Sequence, residues 1–135
     1  MQIRDYNFKQ TCSTCPEQYD VFDKDGNQVC YVRLRWGSLT AEYPDVGGTY
    51  IYDECIGNDC GCFRSERERR MHLSRIAQRI EYASHETKCP HCGEPYLLSL
   101  HDFYELNEVG KAVTECDECD KVFVLRDDGD GLFVY

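Results

Sequence analysis

Val29-Cys30-Tyr31-Val32-Arg33-Leu34-Arg35-Trp36 alternates apolar with polar residues at period two, the texture of a strand with one buried face. Successive side chains of a strand point to opposite sides, so Val32, Leu34 and Trp36 are expected to face a core. Tyr31, Arg33 and Arg35 then face the other way, and Cys30 is read outside the core set. The same texture precedes and follows this stretch, in Tyr19-Asp20-Val21-Phe22 and in Leu39-Thr40-Ala41-Glu42-Tyr43. Turn-forming residues separate the runs: Asp23-Lys24-Asp25-Gly26-Asn27, then Gly37-Ser38, then Pro44-Asp45-Val46-Gly47-Gly48. Residues 19–52 therefore predict an antiparallel meander of three or four strands.

From Ser65 to about Ala83 the apolar period lengthens. Leu73, Ile76, Ala77, Ile80 and Ala83 fall on one stripe at helical spacing. Ser65 is placed to cap this helix, and Glu66 and Glu68 suit the positive end of its dipole. A stripe one side wide is expected to lie across the meander. The fold class read from the chain is α+β: residues 1–84 form a meander with one packed helix, and residues 85–135 a small β domain.

The chain has 135 residues, 15 of them Lys or Arg, 25 Asp or Glu and ten cysteine, for a formal charge of −10. Residues 1–63 carry −5, residues 64–88 carry +3 and residues 89–135 carry −8. Small units of this size bury too little apolar surface to be secure alone and call for disulfides or metal. No apolar run approaches a membrane span, and the first residues lack the apolar core of a signal peptide. A soluble, cytoplasmic protein is expected, in a compartment where paired cysteines serve metals more often than disulfides. The acidity disfavours nucleic acid and anionic lipid as partners.

Two Cys-x2-Cys pairs carry the clearest chemistry: Cys89-Pro90-His91-Cys92-Gly93 and, after 23 intervening residues, Cys116-Asp117-Glu118-Cys119-Asp120. Two residues between thiolates let one tight turn aim both sulfurs at the same ion. Two such knuckles complete a tetrahedral site with no position left for water or substrate. Residues 88–135 resemble a zinc ribbon, with Cys89, Cys92, Cys116 and Cys119 as its ligands. The stretches at residues 96–100 and 121–125 read as its strands, with a last strand at residues 132–135. A rubredoxin-like iron site has the same ligands, but Asp120 replaces the glycine expected after its final cysteine.

Other clusters admit several readings. Cys12 and Cys15, with Cys60 and Cys62, form the candidate set for a second metal, with reduced thiols and disulfides as alternatives. Arg67, Arg75 and Arg79, together with Met71 and Tyr82, are projected away from the helix stripe. With Tyr31, Arg33 and Arg35 on the meander they make a candidate binding surface. No nucleotide loop, nucleophile elbow or zinc-protease motif occurs, and no enzyme activity is expected.

Cys15-Pro16-Glu17-Gln18-Tyr19-Asp20-Val21-Phe22, Tyr31-Val32-Arg33-Leu34-Arg35-Trp36-Gly37 and Glu66-Arg67 are similar to stretches of short uncharacterised proteins of bacteriophages and their hosts. The similarity spans roughly residues 12–83 and implies a phage or prophage origin with no assigned activity. The expected function is that of a small acidic zinc-binding accessory protein that engages a host or phage protein. Nucleic-acid binding and electron transfer are the alternatives.

Overall fold

The computed structural model describes residues 1–12, 16–56, 61–129 and 131–135. The protein is α+β and divides into two compact units, Met1–Ile80 and Glu81–Tyr135.

The first unit is a six-stranded antiparallel sheet in which every strand pairs with its chain neighbour: β1 (Gln2–Ile3), β2 (Tyr6–Gln10), β3 (Glu17–Phe22), β4 (Gln28–Arg35), β5 (Ser38–Tyr43) and β6 (Thr49–Cys55). The meander is thus the one expected, extended by two N-terminal strands. In β4 the residues Cys30, Val32 and Leu34 are buried, at 0%, 1% and 1% exposure. Cys30 shares their parity and belongs to the core, contrary to the sequence reading. Trp36 does not belong to it. At 74% exposure it lies beyond the last residue of β4, in the turn.

That turn is Trp36–Gly37, one residue earlier than expected, with Arg35 paired to Ser38 across it. The longer turn between β3 and β4 is set by Asp23, whose Oδ1 accepts from the backbone N–H groups of Asp25 and Asn27, each at 2.9 Å. Gly26 supplies a φ of 84° there, at which a side chain would be strained.

Helix α1 (Glu66–Ser84) begins where Ser65 accepts a hydrogen bond from the Glu68 N–H at 3.1 Å. Leu73, Ile76, Ala77 and Ile80 of its stripe are at most 1% exposed, and several polar contacts tie it to the sheet. The strongest is Glu17 of β3, only 4% exposed. Arg69 donates to its two oxygens from Nη2 at 2.7 Å and from Nε at 3.1 Å, and Tyr19 Oη donates to it at 2.8 Å. A second group lies further along α1. The guanidinium of Arg79 sits 4.3 Å from the centre of the Tyr52 ring, donates to Ile51 O at 2.8 Å and lies 3.8 Å from Glu54. Tyr52 Oη also meets His72 Nδ1 at 2.8 Å. Burial holds His72 below the usual imidazole range, against the pull of Glu54 and Glu68.

Arg79 is therefore 2% exposed, and Tyr82, whose hydroxyl donates to Asp127 Oδ2, is 3% exposed, which corrects the projection that placed both on an outer face. A 100° projection fixes only direction around the axis. It cannot show that a long side chain folds back over a neighbouring aromatic ring.

The second unit contains α2 (Leu100–Val109) and a three-stranded antiparallel sheet of β7 (Lys111–Glu115), β8 (Val122–Asp127) and β9 (Leu132–Val134). The stretch at residues 96–100 read as a strand is not one. It leads into α2 through a capping box, in which Ser99 Oγ accepts from Asp102 N at 3.2 Å and Asp102 Oδ2 accepts from Ser99 N at 2.9 Å. Phe103 and Leu106 of α2 are buried, as are Ala112, Phe123 and Leu125 of the sheet. Tyr96 joins these parts. Its ring meets Phe123 edge-on at 5.1 Å, and its hydroxyl reaches Asp102 and Thr114.

Candidate metal centre

Each knuckle is a tight loop with the same hydrogen-bond pattern. In the first, Cys89 N donates to Glu94 O and Gly93 N donates back to Cys89 O, both at 2.9 Å. In the second, Cys116 N donates to Lys121 O at 3.0 Å and Asp120 N donates back to Cys116 O at 2.9 Å. The residue following the second cysteine is left-handed in both, Gly93 at φ 78° and Asp120 at φ 59°. The flanking backbone is paired too. Lys88 bridges Pro95 around the first knuckle, and Glu115 pairs with Val122 around the second. A third link ties the two, since His91 Nε2 lies 3.0 Å from Val122 O. His91 thus makes a backbone contact at the surface and is not part of the ligand set.

The four sulfurs of Cys89, Cys92, Cys116 and Cys119 lie within 4.8 Å of one another. Cys89 and Cys119 approach to 3.7 Å, as do Cys92 and Cys116. Zinc–sulfur bonds of about 2.3 Å in a tetrahedron put sulfurs about 3.8 Å apart, so the spacing fits one ion at the centre. Cys89 and Cys116 are buried, Cys119 is half-buried and Cys92 is exposed. Burial raises the Cys89 thiol, but the N–H groups of Cys92 and His91 and the neighbouring thiols outweigh it and bring it down to about 6. Cys92 is lowered by the Glu94 N–H, yet burial and the three other thiols push it up to about 12. Thiolates at such distances repel one another, and a dication between them would remove that conflict. Among the described residues no other group of histidine, cysteine and carboxylate side chains has this geometry.

The candidate second set, Cys12, Cys15, Cys60 and Cys62, is described only in part. Cys12 is half-buried, Cys62 is disulfide-bonded, and Cys15 and Cys60 lie outside the described residues. A disulfide sulfur is not a thiolate ligand. Tyr31 and Arg33 are half-buried and Arg35 is exposed, all on the face of β4 opposite the core. On α1, Arg67 is exposed and Arg75 half-buried, while Arg79 is inside. Because α1 covers the core face of the sheet, these two sets do not form one surface.

Two features of the second unit are absent from the sequence analysis. The spacing Ser99-x-x-Asp102 before Phe103 and Leu106 is a capping-box signature and would have revealed α2. The backbone contact of His91 has no sequence signal.

Comparison with family models, with curated proteins and with solved structures gives no match. Among the described residues no helix is long and apolar enough to cross a membrane.

Proposed function

We propose that the Cys89–Cys92–Cys116–Cys119 cluster holds one zinc ion as a structural centre, and that the protein is not an enzyme but acts by binding another protein. The observation that carries the metal assignment is the mutual 4.8 Å limit on four sulfurs presented by two matched knuckles. Four protein ligands fill a tetrahedral shell, so the ion's part is to fix the fold of the second unit. Soft thiolates suit zinc or iron; the closed, redox-silent site is the reading favoured here, with a rubredoxin-like centre as its rival.

A formal charge of −10 favours approach to basic surfaces, including those of nucleic-acid-handling proteins, which such a chain would inhibit or redirect. A phage-encoded accessory role in the host cytoplasm belongs to the same proposal and rests on the sequence resemblance over residues 12–83 alone. Direct nucleic-acid binding is the weaker reading, since Arg79, one of the helix arginines in the candidate binding surface, is buried.

Two measurements test this reading. Elemental analysis is expected to give one zinc per chain. Affinity capture from host lysate at moderate salt is expected to enrich a protein over a Cys116→Ser control. Capture that recovers nucleic acid alone, and falls steeply with salt, would favour the rival.

A further inference from the structure

Trp36 occupies a position that turns of this kind reserve for other residues. The two-residue loop Trp36–Gly37 joins β4 to β5, and both residues have positive φ, 54° and 74°. Positive φ at both central positions is the mark of a type I′ hairpin turn, whose first place is normally asparagine, aspartate or glycine. A bulky side chain there is opposed by its own Cβ, which crowds the following carbonyl. The tip is nevertheless held firmly, since Gly37 O accepts from Ile56 N at 2.8 Å.

Among the described residues the fold makes no visible use of the indole. Trp36 is the chain's one tryptophan and is 74% exposed. Among the described residues it takes part in none of the ring–ring or cation–ring contacts, which involve other side chains. Arg35 beside it is exposed and enters none of the ion pairs among the described residues. A strained backbone, a large apolar side chain in water and a cation outside the ion pairs of the described residues thus coincide on one hairpin tip.

We propose that the Arg35–Trp36 tip is a docking anchor: the indole enters an apolar pocket of a protein partner, and a carboxylate at the pocket rim meets Arg35. Tryptophan and arginine dominate the energetics of protein interfaces, and a side chain on a two-residue turn loses little freedom on docking. A protein pocket is favoured over stacked bases because the chain as a whole repels phosphate. The proposal rests on the protein-binding reading above and names the place where that binding occurs.

The first test concerns the fold. Trp36→Asn puts a preferred residue into the turn and is expected to leave the unfolding temperature unchanged or raised. A fall in that temperature would mean that the indole serves the fold, and would overturn the proposal.

The second test keeps Trp36 and puts a benzophenone side chain at Ser38, exposed beside the turn, with a matched probe at Leu97, which is 87% exposed. Both are photolysed in lysate of the cells that express the protein. The expected result is a discrete protein adduct at position 38, displaced by excess unlabelled protein and about thirtyfold less well by the Trp36→Asn variant. Adducts from position 97 alone would overturn the anchor and leave protein binding standing. Adducts from neither would remove both. Titration of a short single-stranded oligonucleotide is expected to leave the tryptophan emission unchanged; a shift to shorter wavelength would assign the tip to base stacking and overturn the proposal.

Discussion

Gly93 and Asp120 stand at the same place in the two metal knuckles, four residues after Cys89 and Cys116 respectively, each left-handed and each donating its N–H back to that cysteine's carbonyl oxygen. One position is filled by the residue that adopts this backbone freely and the other by one that does so at a cost.

The asymmetry predicts opposite effects of two substitutions. Asp120→Gly should stabilise the second unit by about 1 kcal/mol, because it relieves the left-handed penalty. Gly93→Ala should destabilise it by about the same amount. Nothing lies within 4 Å of a Cβ built at Gly93, so the loss comes from backbone conformation and not from a clash. Thermal unfolding of the zinc-loaded variants measures both. A loss on Asp120→Gly would show that the carboxylate contributes more than its backbone costs.

Acid sensitivity of the first unit should trace to Glu17. Burial raises its carboxyl, but hydrogen bonds from Arg69 and Tyr19 and the Arg69 charge outweigh this and hold it below the ordinary value of 4.5. A carboxylate with a depressed folded pKa contributes stability that is complete above the unfolded value and is lost as pH falls through the folded one. Denaturant titrations from pH 6 downward should therefore show a falling stability near and below about pH 4.5 that Glu17→Gln flattens. Removing the acid altogether, in Glu17→Ala, should cost about 3 kcal/mol at neutral pH, since Arg69 is left facing a partly buried gap. An unchanged acid limb in Glu17→Gln would contradict this.

Arg79 provides a contrast with the exposed helix arginines. Arg67→Ala should alter stability by less than about 0.5 kcal/mol, as expected for a solvated position. Arg79→Ala removes the group stacked on Tyr52 and hydrogen-bonded to Ile51, and should cost about 3 kcal/mol. Equal effects of the two would restore the outward placement that the helical projection suggested.

That contrast also shows how far the sequence could be read. Period-two alternation in residues 19–52 announces the meander because sheet geometry allows no other use of it, and the Leu73–Ile80 stripe announces α1 for the same kind of reason. The clustering of Cys89, Cys92, Cys116 and Cys119 was legible from spacing alone, since a two-residue gap is a geometric requirement of the knuckle. Trp36 was misplaced because alternation cannot tell where a strand stops: the pattern runs on for one residue after the backbone has entered its turn. Helix α2 is not announced by its apolar residues, because the apolar run Tyr96-Leu97-Leu98 just before it suits a strand, and the deciding signal is the polar pair Ser99 and Asp102.

The capping box bears on stability as well. Ser99→Ala should cost the second unit about 1 kcal/mol by exposing the first turn of α2. Hydrogen exchange at Phe103 and Leu106 would report it as faster opening of α2, and unchanged exchange there would mean that burial of Phe103 and Leu106 alone holds the helix.

The most direct test of the central claim is metal content measured together with order in the second unit. One zinc per chain is expected, with no visible absorption band. Chelation should remove hydrogen-exchange protection from β7, β8 and β9, because structural zinc supplies about 10 to 16 kcal/mol of apparent folding free energy in small peptides of this kind. Purified protein that holds no metal and keeps those strands protected would contradict the account, and one iron per chain with a coloured, reducible centre would contradict its zinc assignment.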